Sequence, residues 1–357
     1  MSTNSDDDRG GQVGADRPQA IEAEGLKLTY ADGTEAVSGV SMQVPDGEFF
    51  GFLGPNGAGK TTTIKVLATL LSPTAGTVRV NGFDVRTDQQ AIRESIGYMA
   101  QETSVITEMT ARENLRFACD AYGVPTADRA ERIEELLDLV DLADVAQKRA
   151  EGFSGGMKKR LDAAMALVHR PPLVFLDEPT TGLDPKARNR LWEYFEAIND
   201  QGTTIFLTTQ YLEEADVLCD RLAVILDGEI VADGAPETLK REVGGEILDV
   251  ELEDSDVREQ AADIVQQDGL FEDDPTVDMT DDGITVTSRD ARQYGPDLLV
   301  ALRDAGITVT GFNVRSPTLD DVFLAITGEH VETGAATDDE RVASAAETTG
   351  TADGGPR

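Results

Sequence analysis

The chain has 357 residues, 40% of them hydrophobic, which is enough for ordinary cores and more than one core usually organises, so two domains are expected. Acidic residues outnumber basic ones 68 to 31, a formal charge of −37, which argues against a general nucleic-acid binder and against binding anionic lipid through a basic face. Such a surface repels itself in dilute buffer, whereas at about 1 M salt the Debye length falls to roughly 3 Å, so a salt-rich, halophilic cytoplasm is the expected setting. Cys119 and Cys219 have no metal-like spacing and read as buried or half-buried free thiols. No apolar run approaches the length of about 18 residues needed to cross a bilayer, and the N-terminal stretch lacks the charged and apolar regions of a signal peptide. A soluble protein without direct membrane insertion is expected.

Residues 1–18 are acidic and glycine-containing, with little to bury, and read as disordered. From Ile21 apolar and polar residues alternate, with turn signals at Asp32-Gly33 and Pro45-Asp46-Gly47, as in antiparallel strands. Tyr30 stands near a strand end, where it either packs on the sheet or stacks on a base. The apolar run FFGFL then leads into Gly54, Pro55, Asn56, Gly57, Ala58, Gly59, Lys60, Thr61 and Thr62, which satisfy the phosphate-loop pattern G-x-x-x-x-G-K-[ST]. Glycines let backbone N–H groups surround a polyphosphate, and the anion sits on the N-terminal end of the next helix. Lys60 is expected to reach the β- and γ-phosphates of ATP and the Thr61 hydroxyl to hold Mg²⁺. A glycine-rich turn that binds nothing is the bland alternative, but every required residue type stands in register behind an apolar strand.

The helix from Lys60 to about Leu71 ends before Pro73, and TVRVNGFDV supplies a strand and turn. Ala91 to Glu94 reads as helix, and SIGYMAQ as a short strand leading to Gln101. Thr110 and Glu113 have capping-box spacing at the start of the next helix, and a second amphipathic helix runs from about Asp128 to Val140, so residues of about 102–170 form a helix-rich part. Ser154, Gly155 and Gly156 precede a helix from about Met157 to His169, a second backbone anion site. Lys158, Lys159 and Arg160 read as a solvated helix face, with a raised local potential for ATP as the alternative.

LVFLDE is an apolar strand ending in Asp177 and Glu178. A carboxylate there is costly unless it meets a cation, which Asp177 beside Mg²⁺ would, and Glu178 is then placed to act on a water next to the phosphates. A helix from Pro185 to Asp200, strand TTIFLTT, helix YLEEADVLC and strand RLAVILDGEIVADG continue the alternation of an α/β sheet with ligands at its carboxyl edge. Composition shifts near Gly244, and residues 244–328 read as strand, helix, strand, helix, strand, helix, a small α+β domain without a catalytic constellation. Residues 329–357 read as a disordered tail. The two histidines, His169 and His330, read as structural or solvated.

Together GPNGAGKTT, Gln101, FSGGM, LVFLDEP, Gly182-Leu183-Asp184 and TTQYLEEAD resemble the nucleotide-binding subunits of ABC transporters, from about Ile21 to Leu239. FSGGMKKRLD, TTQYLEEAD and SPTLDDVFLAITG look most like the daunorubicin-resistance branch, whose ATPase subunits pair with a separate ABC-2-type membrane permease. The resemblance implies an α/β P-loop NTPase of ABC type over residues 19–243, with a RecA-like core, an antiparallel β subdomain and the helical subdomain, followed by the C-terminal α+β domain. It implies a Mg-dependent ATPase that powers export, cytoplasmic and peripheral on the inner face of the plasma membrane. Tyr30 then stacks on the base, Gln101 approaches Mg²⁺ and the attacking water, Asp177 is the magnesium-side carboxylate and Glu178 the general base. Ser154 to Met157 form the signature turn and Asp184 lies in the D-loop. Two ATP molecules are shared between two copies in a homodimer, so a lone chain is expected to be nearly inactive.

Two positions depart from the general pattern. Met157 stands where most members have glutamine, and Gln210 occupies the place of the switch histidine. Glutamine donates a hydrogen bond but carries no charge, so slower hydrolysis is expected. An ATP-gated clamp with very slow turnover is the alternative, although the daunorubicin-type branch shares this glutamine. ABC-type translation and repair ATPases need two cassettes or a long coiled-coil insertion, and the chain shows neither.

Overall fold

Alternation of buried and exposed residues builds an antiparallel layer at the start of the computed structural model, which describes residues 18–242, 245–266, 270–272 and 275–327. The two segments read as disordered, apart from Pro18, lie outside those residues, as does His330. Strands β1 (Gln19–Thr29) and β2 (Glu35–Pro45) pair across the Asp32-Gly33 turn. Next come β3 (Phe49–Leu53), α1 (Lys60–Leu67), β4 (Ala75–Val80) and β5 (Phe83–Asp84), and β4 and β5 complete a sheet of order β2-β1-β4-β5. Helix α1 stops short of Leu71 because Thr69 turns left-handed at φ 60°, and the Leu70 N–H then reaches back to Lys65 O at 2.7 Å.

The chain continues through α2 (Gln89–Ser95), β6 (Ile96–Met99), α3 (Ala111–Ala121), α4 (Arg129–Leu139), α5 (Gly155–Ala166), β7 (Leu173–Asp177), α6 (Pro185–Asn199), β8 (Thr204–Thr209) and α7 (Leu212–Leu218). Thr110 and Glu113 close the expected capping box, and Ile133, Leu136, Leu137 and Val140 turn the apolar stripe of α4 into the core. The carboxyl half of the sheet ends in β9 (Arg221–Leu226) and β10 (Glu229–Gly234). Strand order is β10-β9-β3-β8-β7-β6, with β9, β3, β8, β7 and β6 all parallel. Every residue of β3, β7 and β8 is buried, as expected for strands covered on both faces. The rings of Phe50, Phe52 and Phe175 pack around Phe206 with centroids 5.5–5.6 Å away. The single strand expected over RLAVILDGEIVADG is instead a hairpin. Asp227 and Gly228 take φ of 50° and 81°, the left-handed pair that a two-residue turn requires.

Helix α8 (Pro236–Glu242) leads to β11 (Glu246–Leu252), α9 (Arg258–Val265), β12 (Thr276–Met279), β13 (Gly283–Ser288), α10 (Ala291–Asp304), β14 (Val309–Arg315) and α11 (Leu319–Thr327). The sheet, of order β12-β13-β11-β14, is antiparallel throughout and shares a core with α9 and α10 through Leu248, Val250, Ile284, Val286, Leu298 and Leu302. β12 is an additional strand: TVDM alternates polar and apolar residues, but over only four positions, and it is mostly exposed. Helix α11 leaves that core. Its Leu319, Val322 and Phe323 join the cluster that contains Leu212, Leu218 and Leu239, and so pack on α7 and α8. Among the described residues no helix is long and apolar enough to cross a membrane, and both thiols are buried and unpaired.

Candidate functional site

Strand β3 delivers the chain into the glycine loop, and α1 begins at Lys60. Gly57 and Gly59 take φ of 86° and 110°, and a Cβ on Gly59 would lie 2.5 Å from Ala36 O. Glycine is therefore required at 59 on both conformational and steric grounds. The Lys60 ammonium is 4% exposed and donates to Gly54 O at 2.6 Å and Pro55 O at 3.1 Å, 3.7 Å from a Glu178 oxygen. Burial pushes its pKa down, while the Glu178 and Asp177 carboxylates push it up. Tyr30 lies outside the core at 41% exposure, its hydroxyl 3.0 Å from that of Thr62, beside the loop rather than packed on the sheet.

β7 lies beside β8 in register Asp177↔Thr208, which brings two acids to the loop. Asp177, 1% exposed, accepts hydrogen bonds from the hydroxyls of Thr208 at 2.7 Å and Thr61 at 3.2 Å. Glu178 turns left-handed at φ 48°, a conformation that costs about 1–3 kcal/mol and collects at functional sites. Its N–H donates to Thr208 O at 3.0 Å, and its carboxylate accepts from the Gln101 amide at 3.0 Å. Gln210 follows β8 two residues beyond the partner of Asp177, in a turn closed by the Tyr211 N–H donating to Thr209 Oγ1 at 2.9 Å. Lys60, Thr61, Gln101, Asp177 and Glu178 thus form one cluster, with Tyr30 and Thr62 at its rim.

The side chains of Ser154 and Asp184 make their hydrogen bonds at their own helix ends and not to this cluster. Ser154 caps α5, its hydroxyl accepting from the Met157 N–H at 3.3 Å, so the helix starts at Gly155 instead of Met157. Gly155 and Gly156 form its first turn. Asp184 caps α6 by accepting from the Ala187 N–H at 2.9 Å. The α5 end, capped by a neutral hydroxyl, keeps backbone N–H groups in the arrangement that receives anions, whereas the α6 end already holds the Asp184 carboxylate.

The basic run is not a solvated face. Lys159 is half-buried and donates to Gln101 O at 2.7 Å, and Arg160 donates to Val140 O at 2.6 Å. Burial lowers the Lys159 pKa, opposed by Asp162, Asp177 and Glu178. His169 is structural. Its Nε2 lies 3.0 Å from Ile96 O, its ring stacks on Tyr122 at 4.0 Å, and burial drives its pKa down to about 4.

Sequence reasoning missed Thr208, Lys159 and Asp162 as site neighbours. The available signals were the Thr208-Thr209 pair that ends the apolar run of β8 and an acid inside the apolar half of α5.

For a divalent cation the expected donors are the Thr61 hydroxyl, the Asp177 carboxylate and the Gln101 side chain, all hard oxygen; the first two bond each other directly, while the Gln101 NH₂ is turned to Glu178. Such donors suit Mg²⁺, which keeps waters and substrate phosphate oxygens as its remaining ligands. Among the described residues there is no group of three or more His, Cys, Asp or Glu of the kind that holds a metal without such help.

Comparison with known proteins places the chain in a family. Residues 37–181 match the family described as ABC transporter, and residues 234–327 match the family described as ATP-binding protein DrrA1-3-like, C-terminal domain. The chain is 42% identical over 330 residues to the daunorubicin/doxorubicin resistance ATP-binding protein DrrA of Streptomyces peucetius, covering 91% of this chain and 98% of that protein. It is 34% identical to the linearmycin resistance ATP-binding protein LnrL of Bacillus subtilis, with 86% and 98% covered. Similar solved structures include an ATP-binding subunit of an ABC transporter, at 31% identity and a TM-score of 0.58 over 63% of this chain and 93% of that one. A second is a dimeric ATP-binding cassette in a post-hydrolysis state with ADP and Pi, at 26% identity and a TM-score of 0.55 over 60% and 98%.

Proposed function

The chain belongs to the ABC transporter ATP-binding family, and from that premise we propose that it is the Mg²⁺-dependent motor of an exporter whose membrane path is a separate ABC-2-type permease. The observation that carries the proposal is the Glu178 carboxylate, held by Gln101 and Lys60 beside Asp177 at the mouth of the phosphate loop. In this reading Glu178 accepts the proton of a water attacking the γ-phosphate in line, and Gln101 orients that carboxylate. Lys60 and the loop N–H groups take up charge that develops on the phosphate oxygens. Thr61 and Asp177 would hold Mg²⁺, which neutralises phosphate charge when bound. Gln210 donates a neutral hydrogen bond toward the terminal phosphate.

The Ser154 and Asp184 side chains bond only at their own helix ends and to nothing in the cluster of their own chain, which fits a homodimer in which each signature turn completes the partner's site. The dimeric cassette among the structural relatives supports the same reading. Resistance proteins among the relatives support export. A groove of about 610 Å³ lined by Ala68, Leu70, Arg93, Tyr98, Ala121 and Tyr122 supports a docked membrane partner, which would keep the chain at the inner face of the membrane.

Glu178→Gln tests the proposal. ATP binding is expected to persist while steady-state phosphate release falls about 10²- to 10⁴-fold. Turnover at the parental rate would remove Glu178 from the role. The clamp reading draws on the neutral Gln210, and it is favoured instead if the parental chain with its permease releases almost no phosphate and Gln210→His raises that rate.

A further inference from the structure

Helix α5 carries the Ser154 turn at its start, and its next turns grip the segment that holds Gln101. Lys159 Nζ donates to Gln101 O at 2.7 Å. One turn further, Asp162 accepts from the Ser104 N–H at 3.2 Å and from the Ser104 hydroxyl. Asp162 is 2% exposed, and its Oδ2 is buried without a hydrogen-bond partner, so the segment 101–104 is its main source of compensation. Gln101 in turn donates to Glu178 at 3.0 Å. An unbroken series of bonds therefore runs from the carboxylate at the phosphate loop to the helix that Ser154 caps.

We propose that Lys159 and Asp162 are positioning residues that tie each chain's Gln101–Glu178 pair to its own Ser154 turn, so that the state of one nucleotide site is passed to the other. The proposal rests on the shared-nucleotide reading above. In such a dimer Glu178 serves the nucleotide of its own chain and Ser154 that of the partner. A helix clamped at two points to segment 101–104 cannot shift at one end without the other. A solvated lysine could not do this, and Lys159 is half-buried against a backbone carbonyl.

The test uses dimers of two differently tagged chains in molar KCl, one chain carrying Glu178→Gln. The site that still turns over then combines the parental chain's Glu178 with the variant chain's Ser154. Adding Ser154→Arg to the variant chain is expected to abolish the remaining phosphate release. Release that survives overturns the shared-nucleotide reading, and this inference with it. With that control in place, Lys159→Met is added to the Glu178→Gln chain. Its own Gln101 belongs to the silent site, so it reaches the working site only through α5.

Phosphate release is expected to slow roughly tenfold, about the worth of one charge-assisted hydrogen bond, with ATP affinity unchanged. Lys159→Met in the parental chain is expected to slow it as well, through Gln101. A loss in the second arrangement alone confines Lys159 to its own site and overturns the coupling. Asp162→Ala is expected to repeat the loss in the first arrangement. Asp162→Asn keeps an oxygen for Ser104 and is expected to restore the rate, and equal rates for the two variants overturn the part assigned to Asp162.

Discussion

Replacing Thr208 with valine removes one hydroxyl and keeps the side-chain shape, which takes away its donation to Asp177 and the longer bond, 3.3 Å, that it accepts from the Glu178 N–H. Thr208 is fully buried and donates to Asp177 Oδ1 at 2.7 Å, whereas the other donor to that oxygen, Thr61, lies at 3.2 Å. A hydrogen bond to a charged group contributes about 1.5–3 kcal/mol, and the same range of about 10- to 100-fold in metal affinity is typical of groups that orient a metal ligand. Thr208→Val is therefore expected to raise the Mg²⁺ concentration for half-maximal ATP hydrolysis about 10- to 100-fold. The rate at saturating Mg²⁺ is expected to fall much less, because Glu178 keeps its backbone bond to Thr208 O. The assay is phosphate release at fixed ATP with Mg²⁺ titrated, beside a denaturant midpoint. An unchanged Mg²⁺ requirement with an unchanged midpoint would refute the idea that Thr208 orients Asp177.

Three further outcomes follow from other parts of the chain. Gly59→Ala, whose Cβ would meet Ala36 O at 2.5 Å, is expected to abolish binding of a fluorescent ATP analogue, while Gly57→Ala, facing open space, meets only backbone strain and weakens binding less; equal losses would contradict the steric argument. His169 is held neutral with a pKa of about 4, so between about pH 6.5 and pH 4 the unfolded chain takes up a proton that the folded one refuses. Its contribution is present above about pH 6.5 and is lost as the pH falls, at up to about 1.4 kcal/mol per pH unit, and His169→Phe is expected to flatten that part of an acid-stability profile. With a charge of −37, the unfolding midpoint is expected to rise between dilute and molar KCl, and a flat response would remove the proposal of a salt-rich setting.

The phosphate loop was legible in the sequence because everything it needs is contiguous. Three glycines, a lysine and a threonine lie in one turn after one strand, and local conformation does the rest. The carboxylate pair was legible for a related reason, since charge at the end of a wholly apolar strand demands a partner. What stayed hidden depends on which segments become neighbours. Thr208 meets Asp177 because β8 lies beside β7, and Lys159 meets Gln101 across a gap of 58 residues that no spacing rule spans. The β9–β10 hairpin was announced by Asp227-Gly228, but apolar residues on both sides disguised it as one strand. β12 is an exposed edge whose pairing with β13, rather than its composition, makes it a strand.

Helix α11 gives the order of synthesis a physical meaning. Leu319, Val322 and Phe323 sit among the same buried side chains as Leu212, Leu218 and Leu239, so that apolar bed is finished only when nearly the last described residue has left the ribosome. At translation rates of about 5–20 residues per second, the bed stays open on the order of five to twenty seconds after Leu239 emerges. During that interval the nascent chain offers a ready surface for a chaperone or for a neighbouring nascent chain, and a truncation before residue 319 would leave it open for the life of the protein.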